Sequence, residues 1–232
     1  MTTVEQLQAL VDEAYDARGL PSWPDPHPLR ESPRDEEYSR VTDPERYRIV
    51  HERARLWAGV LVDRLGVRAE PVAPVPPEPG RKGVDRGVRL VPEVSGALPL
   101  LLLERDVPQP GLAPLAVLDI AVVRTDVLVD GVPDCGCDAC DSGSADLLHC
   151  IDVAVRRVVG GTYVLLRADG WRAAWYPDGG EAGGQRHVLD FRVAMDLCRA
   201  LAAGEDIPLP RGVEAFVALP WTNPEPADDG RS

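Results

Sequence analysis

Cys135, Cys137 and Cys140 stand in the run Asp-Cys-Gly-Cys-Asp-Ala-Cys-Asp from Asp134 to Asp141, so three of the five cysteines fall within six residues. Thiols this close together suit a soft metal ion or redox chemistry. A tetrahedral zinc site takes four donors, and this loop is short enough to fold three of them around one ion. The fourth is harder to place. Cys150 and His149 follow on the next helix, with nine residues between Cys140 and Cys150. Asp134, Asp138 and Asp141 offer oxygen instead. The expected ligand set is therefore Cys135, Cys137 and Cys140 with His149 or Cys150, and zinc is the cofactor that would fit it. Convergence of the three sulfurs is the condition; if they point apart, the metal reading fails.

Two other readings compete. Cys137-Asp-Ala-Cys140 just before a helix is a place where the helix dipole favours a thiolate, which would allow nucleophilic or redox chemistry. The flanking aspartates oppose this by raising the thiol pKa values. Alternatively the cysteines pack as small apolar groups in an inert structural loop. No catalytic constellation stands beside them. His27, His51, His149 and His187 are scattered, and each reads as a surface or capping residue. The glycine pairs at 179–180 and 183–184 lack the lysine and the strand-to-helix setting of a phosphate loop, and read as a mobile hairpin tip. Ser142 and Ser144 read as helix caps, and Trp171 and Trp175 as core residues on one strand face.

The elements around the cysteines follow from periodicity. Val4, Leu7, Val11 and Ala14 recur at helical spacing, and Gly19 and Pro21 stop that helix. Residues 21–42 form a Pro-rich arm, with Trp23 as its anchor. A second helix opens at Asp43-Pro44, with Thr42 and Glu45 as an alternative capping box. It runs through Tyr47, Val50, Ala54, Trp57, Leu61 and Leu65 to Gly66. The Pro-rich stretch 71–80 reads as a loop. Short apolar runs at 87–92, 98–104, 115–122 and 125–129 then read as strands joined by hairpins, with Pro99 weakening the second or putting it on an edge. The thiol loop follows the fourth run and precedes a helix that begins near Ser142 to Asp146. Strands at 162–167 and 171–176 flank the turn Ala168-Asp169-Gly170, and Asp190 caps a last helix in which Cys198 faces the core.

The expected architecture is α+β: a largely antiparallel sheet with helices on one side and an N-terminal helical extension. In domain terms this means an N-terminal helix at 1–20, the arm at 21–42, one α+β domain at 43–221 and a disordered tail at 222–232. The formal net charge of −13 disfavours nucleic acid and anionic membrane as partners. Nor does the N-terminus resemble a signal peptide, and the apolar run at Leu100–Leu103 is too short to cross a bilayer. A cytoplasmic location, where thiols stay reduced, is expected.

Two segments carry a resemblance. The Cys-Gly-Cys-Asp-Ala-Cys-Asp run, and Tyr38-Ser39-Arg40-Val41-Thr42 followed by Pro44-Glu45-Arg46-Tyr47, are similar to the landmarks of a family of bacterial proteins of unknown function, in the same order over roughly residues 33–200. The resemblance implies no activity and assigns no catalytic residue. The preferred reading is thus a cytoplasmic, non-enzymatic interaction or accessory protein, with an unidentified protein partner, whose thiol loop is structural and can hold zinc. The alternative is an enzyme that uses Cys137 or Cys140 as nucleophile or redox centre, or an open metal site.

Overall fold

β4 (Leu115–Val122) is buried along its whole length, as its nearly unbroken apolar run requires of a strand covered on both faces. Around it lie β1 (Arg68–Val72), β2 (Arg86–Val91), β3 (Leu100–Val107) and β5 (Leu128–Val132), in the order β1-β2-β3-β4-β5, all antiparallel. These positions come from a computed structural model, which describes residues 2–28, 32–78, 82–161 and 163–222. The chain divides into two compact units, one formed by residues 5–91 and 99–155 and the other by 1–4, 92–98 and 156–232. The five-stranded meander belongs to the first.

One face of the meander carries α2 (Ile49–Leu65), whose Trp57 and Leu61 are fully buried with Leu90, Leu100, Leu102, Leu118 and Ile120 of the strands. Gly66 ends the helix at φ 64°, as its position predicts. The start differs from expectation. Residues Pro44–Arg48 form a 3-10 turn, Asp43 makes no side-chain cap, and α2 proper begins at Ile49.

α1 (Val4–Asp16) is the expected N-terminal helix, and it is tied to α2 and to the middle of α3 (Ser144–Gly160). Arg53 of α2, with 3% of its side chain exposed, donates Nε to Asp152 Oδ1 at 2.9 Å and Nη2 to Asp152 Oδ2 at 2.6 Å. Trp57 Nε1 reaches Asp152 Oδ1 at 2.7 Å, Gln8 Nε2 reaches Asp152 Oδ2 at 3.0 Å, and Arg53 also pairs with Asp12. One carboxylate thus joins three helices.

His51 departs from its expected surface position. It is buried, and its Nε2–H donates to the Val117 carbonyl at 2.9 Å, which leaves Nδ1 to accept from Arg86 Nη2 at 3.3 Å. Glu104 and Asp106 lie 3.8 and 3.9 Å from Nδ1. Burial nevertheless dominates and holds the imidazole pKa below its usual 6.5. The unfolded chain therefore takes up a proton at a pH where the folded chain does not, and stability must fall as pH drops below about 6.5. We expect unfolding midpoints to decline between about pH 7 and pH 5, and the His51→Gln variant to show a flatter profile. An unchanged slope would remove His51 as the cause.

The second unit holds β6 (Tyr163–Ala168), β7 (Trp171–Tyr176), β8 (Gly179–Gly184) and β9 (Glu214–Ala218), antiparallel in the order β8-β7-β6-β9. α4 (Phe191–Ala202) packs on it, capped by Asp190, whose side chain accepts from the Arg192 N–H. Cys198 is core, as expected, beside Val164, Leu166, Trp171 and Met195. Trp175 is partly buried against the same cluster.

The class is therefore the mixed α+β one expected, with its antiparallel strands divided between two sheets. Three strands went unforeseen. β1 contains Pro71, which an edge strand tolerates because one of its sides has no ladder to lose. β8 is the glycine-rich stretch read as a hairpin tip; a Cβ on Gly180 would sit 2.3 Å from Met195 Sδ, so glycine lets α4 approach the strand. β9 lies largely in a short apolar run at 215–219 that ends at Pro220, which was not among the strands expected. Pro99 immediately precedes β3 rather than weakening it, and β3 is an inner strand rather than an edge. The expected loop at 71–80 begins inside β1, and its residues 79 and 80 lie outside the described residues. The same holds for residues 223–232 of the expected tail.

Candidate metal centre

The chain leaves β5 and enters a loop whose middle, Asp138–Cys140, is one 3-10 turn closed by the Cys140 N–H to the Cys137 carbonyl at 3.0 Å. That tight turn brings the sulfurs together. The Sγ atoms of Cys135, Cys137 and Cys140 all lie within 4.8 Å of one another, with 3.3 Å between Cys135 and Cys137. Cys137 is buried, while Cys135 and Cys140 are exposed.

What holds the turn comes from far away in sequence. The Asp138 N–H donates to the Arg40 carbonyl at 2.7 Å. Its carboxylate accepts from Arg40 Nε at 2.7 Å, from Thr42 N–H at 2.9 Å and from Thr42 Oγ1 at 2.5 Å. Thr42 thus spends on Asp138 the groups that a capping box would have used. Ser39 stands at φ 63°, a conformation that costs a non-glycine residue about 1 kcal/mol. Its backbone hydrogen bonds to Cys137, which gives that strain a purpose.

The second aspartate is anchored separately. Asp141, buried, accepts from Trp23 Nε1 at 3.0 and 3.1 Å, from Arg46 Nη2 at 2.5 Å and from the Gly143 N–H at 2.9 Å. The Arg46 guanidinium lies 4.7 Å from the Trp23 ring centroid, a cation–π contact, and Tyr47 meets Trp23 edge-on at 5.6 Å. Trp23 is therefore the anchor of the arm, as the sequence suggests. Ser144 Oγ completes the docking through the Trp23 N–H and carbonyl, both at 3.1 Å.

Gly143 lies under this arm at φ 89°, and a Cβ there would meet the Asp25 nitrogen at 2.6 Å. Backbone cannot give way as a side-chain tip can. Gly143→Ala is expected to lower unfolding stability by about 2 kcal/mol and to speed proteolysis within residues 22–27. A variant as stable and as resistant as the parent would show that the arm is not held here.

Electrostatically the thiols are unequal. Burial raises the Cys137 thiol, but hydrogen bonds from Cys135, the Ser39 backbone and Cys140 outweigh it and bring the pKa to about 7. Cys140 is pushed up to about 12, first by its hydrogen bond with Cys137, then by burial and by Cys135. The aspartates are not the cause expected from sequence. Asp138 is itself held low: burial pulls it up, but Thr42 and Arg40 prevail.

His149 and Cys150 do not join the three sulfurs. His149 is exposed and lines a cleft of about 530 Å³ with Tyr15, Arg53 and Asp152. Cys150 is partly buried, and its thiol is raised by that burial, then by Asp146 and Asp130. His27, on the arm, comes nearer the loop: its Nε2 lies 3.3 Å from the Asp138 carbonyl and 4.0 Å from Glu37 Oε2. Sequence reading missed Arg40, Arg46 and Asp138 as scaffold residues, although the density of aspartates around the cysteines was a signal that cations must be near.

Residues 11–223 match the model of a family described as a family of unknown function, DUF6226. The chain belongs to DUF6226. The match reaches further than the resemblance over 33–200, since it begins within α1 and runs past β9. No curated protein and no solved structure matches the chain. Within the DUF6226 span, the segment from Tyr38 to Tyr47 and the segment from Asp134 to Asp141 are one place in the fold, because the first supplies the groups that hold the second. Among the described residues, no helix is long and apolar enough to cross a membrane.

Proposed function

We propose that Cys135, Cys137 and Cys140 bind one zinc ion, and that the centre fixes the thiol loop against residues 38–46 in a non-enzymatic accessory or interaction protein. The observation that carries the reading is the convergence of three sulfurs within 4.8 Å. Zinc–sulfur bonds of about 2.3 Å in a tetrahedron separate neighbouring sulfurs by about 3.8 Å, so a small relaxation of the loop suffices. Spacing this short suits one ion better than a multi-iron cluster. The backbone hydrogen bonds to Cys137 are what a metal-bound thiolate needs from its surroundings. A reducing cytoplasm would keep the ligands available, and the net charge of −13 favours a protein partner over a polyanion.

An enzymatic role is the second reading. It is favoured by a specific observation, that the convergent set has three members, the number catalytic zinc sites draw from protein. Metal analysis with thiol titration tests the proposal. Protein purified under reducing conditions should carry about one zinc per chain, and three of its thiols should resist alkylation until a chelator is added. Metal-free protein whose thiol reactivity does not change on adding zinc would overturn it.

A further inference from the structure

We infer that the fourth position of this centre is filled from outside the chain, by the thiolate of a small thiol; the inference rests on the zinc reading above. Every cysteine and histidine of the chain lies among the described residues, and none beyond Cys135, Cys137 and Cys140 joins the group. Of the six that stay outside it, His149 and His187 are exposed and Cys150 is partly buried, and the other three are held in place. Cys198 is buried in the core, His51 is held by Val117 and Arg86, and His27 faces the Asp138 carbonyl and Glu37. Asp134 is exposed and also stays outside the group, and the other two near carboxylates are not free to turn. Asp138 accepts from Arg40 and from both donors of Thr42, and Asp141 from Trp23, Arg46 and Gly143.

An outside ligand could reach the centre, because Cys135 and Cys140 are exposed while Cys137 is buried. Softness then selects the ligand. Three thiolates donate strongly to zinc and leave it a poor Lewis acid, so a bound water gains little acidity and is easily displaced. A fourth sulfur completes the set that zinc favours in thiolate sites. The exchange balances simply: the thiol loses its proton to solvent, its sulfur bonds the metal, and one water leaves. A second copy would offer its own exposed Cys135, Cys140 or His149, and that source would reveal itself by its dependence on association of two chains.

The test is cobalt substitution of the full-length protein. Titration with 2-mercaptoethanol, followed by absorption, should raise the sulfur-to-cobalt charge-transfer intensity saturably by about one third, as three thiolates become four, while the sedimentation coefficient stays unchanged. Cobalt uptake with an intensity unmoved by thiol would overturn the open position and leave the metal reading standing. A rise that tracks dimer formation would overturn the small-thiol source. Failure to bind cobalt or zinc at all would overturn both.

Discussion

Asp152→Ala is expected to destabilise the first unit by about 3–5 kcal/mol, a large part of the stability of a typical domain. The magnitude follows from what is left behind. Arg53 would remain buried without its bidentate partner, and the Trp57 indole N–H would lose its acceptor. The exposed Asp12 is its remaining acidic partner. Denaturant unfolding measures the loss, and a drop under about 1 kcal/mol would show that the pair is solvated and weak. The double variant Arg53→Met with Asp152→Leu should recover most of the stability, because removing both charges removes the unpaired one as well. If the double variant is no better than the single, the carboxylate's hydrogen bonds to Trp57 and Gln8 matter more than its charge.

Cys137→Ser is expected to reduce bound zinc from about one per chain to near none. Cys137 is the buried member of the three, and it receives hydrogen bonds from the Ser39 backbone and from both other cysteines. A hydroxyl in its place binds zinc poorly and ionises far above neutral pH. The parent protein should gain about 4 kcal/mol from zinc held at a thousand times its dissociation constant, and the variant almost nothing. Metal-free parent and variant should unfold within about 1 kcal/mol of each other, which separates lost metal from lost packing. A variant that retains stoichiometric zinc would remove Cys137 from the ligand set.

Strands whose own residues are enough to declare them were legible. The runs at 115–122 and 171–176 match β4 and β7 residue for residue, because each is a bounded run of β-branched, aromatic and small apolar residues. β1 and β8 were hidden, since Pro71 and the four glycines of β8 are tolerated only through edge position and the packing of α4. At the site, the cysteines announced themselves by spacing, while their support did not. Asp138 meets Arg40 and Thr42 across separations of 98 and 96 residues, beyond the reach of any local pattern. Thr42 and Asp43 looked like helix caps for the same reason, because local rules assign a hydroxyl or carboxylate to the nearest helix start.

The left-handed Ser39 has a consequence for how the centre comes into being. A peptide containing only the thiol loop would carry every convergent sulfur, yet it would lack the Ser39 backbone group, the Arg40 carbonyl and the Trp23 indole that hold the turn. The loop is therefore not portable. Its geometry arrives only when Trp23 and residues 39–46 have come home across a closure of about a hundred residues, so ion capture would mark the completion of folding and serve as its clock.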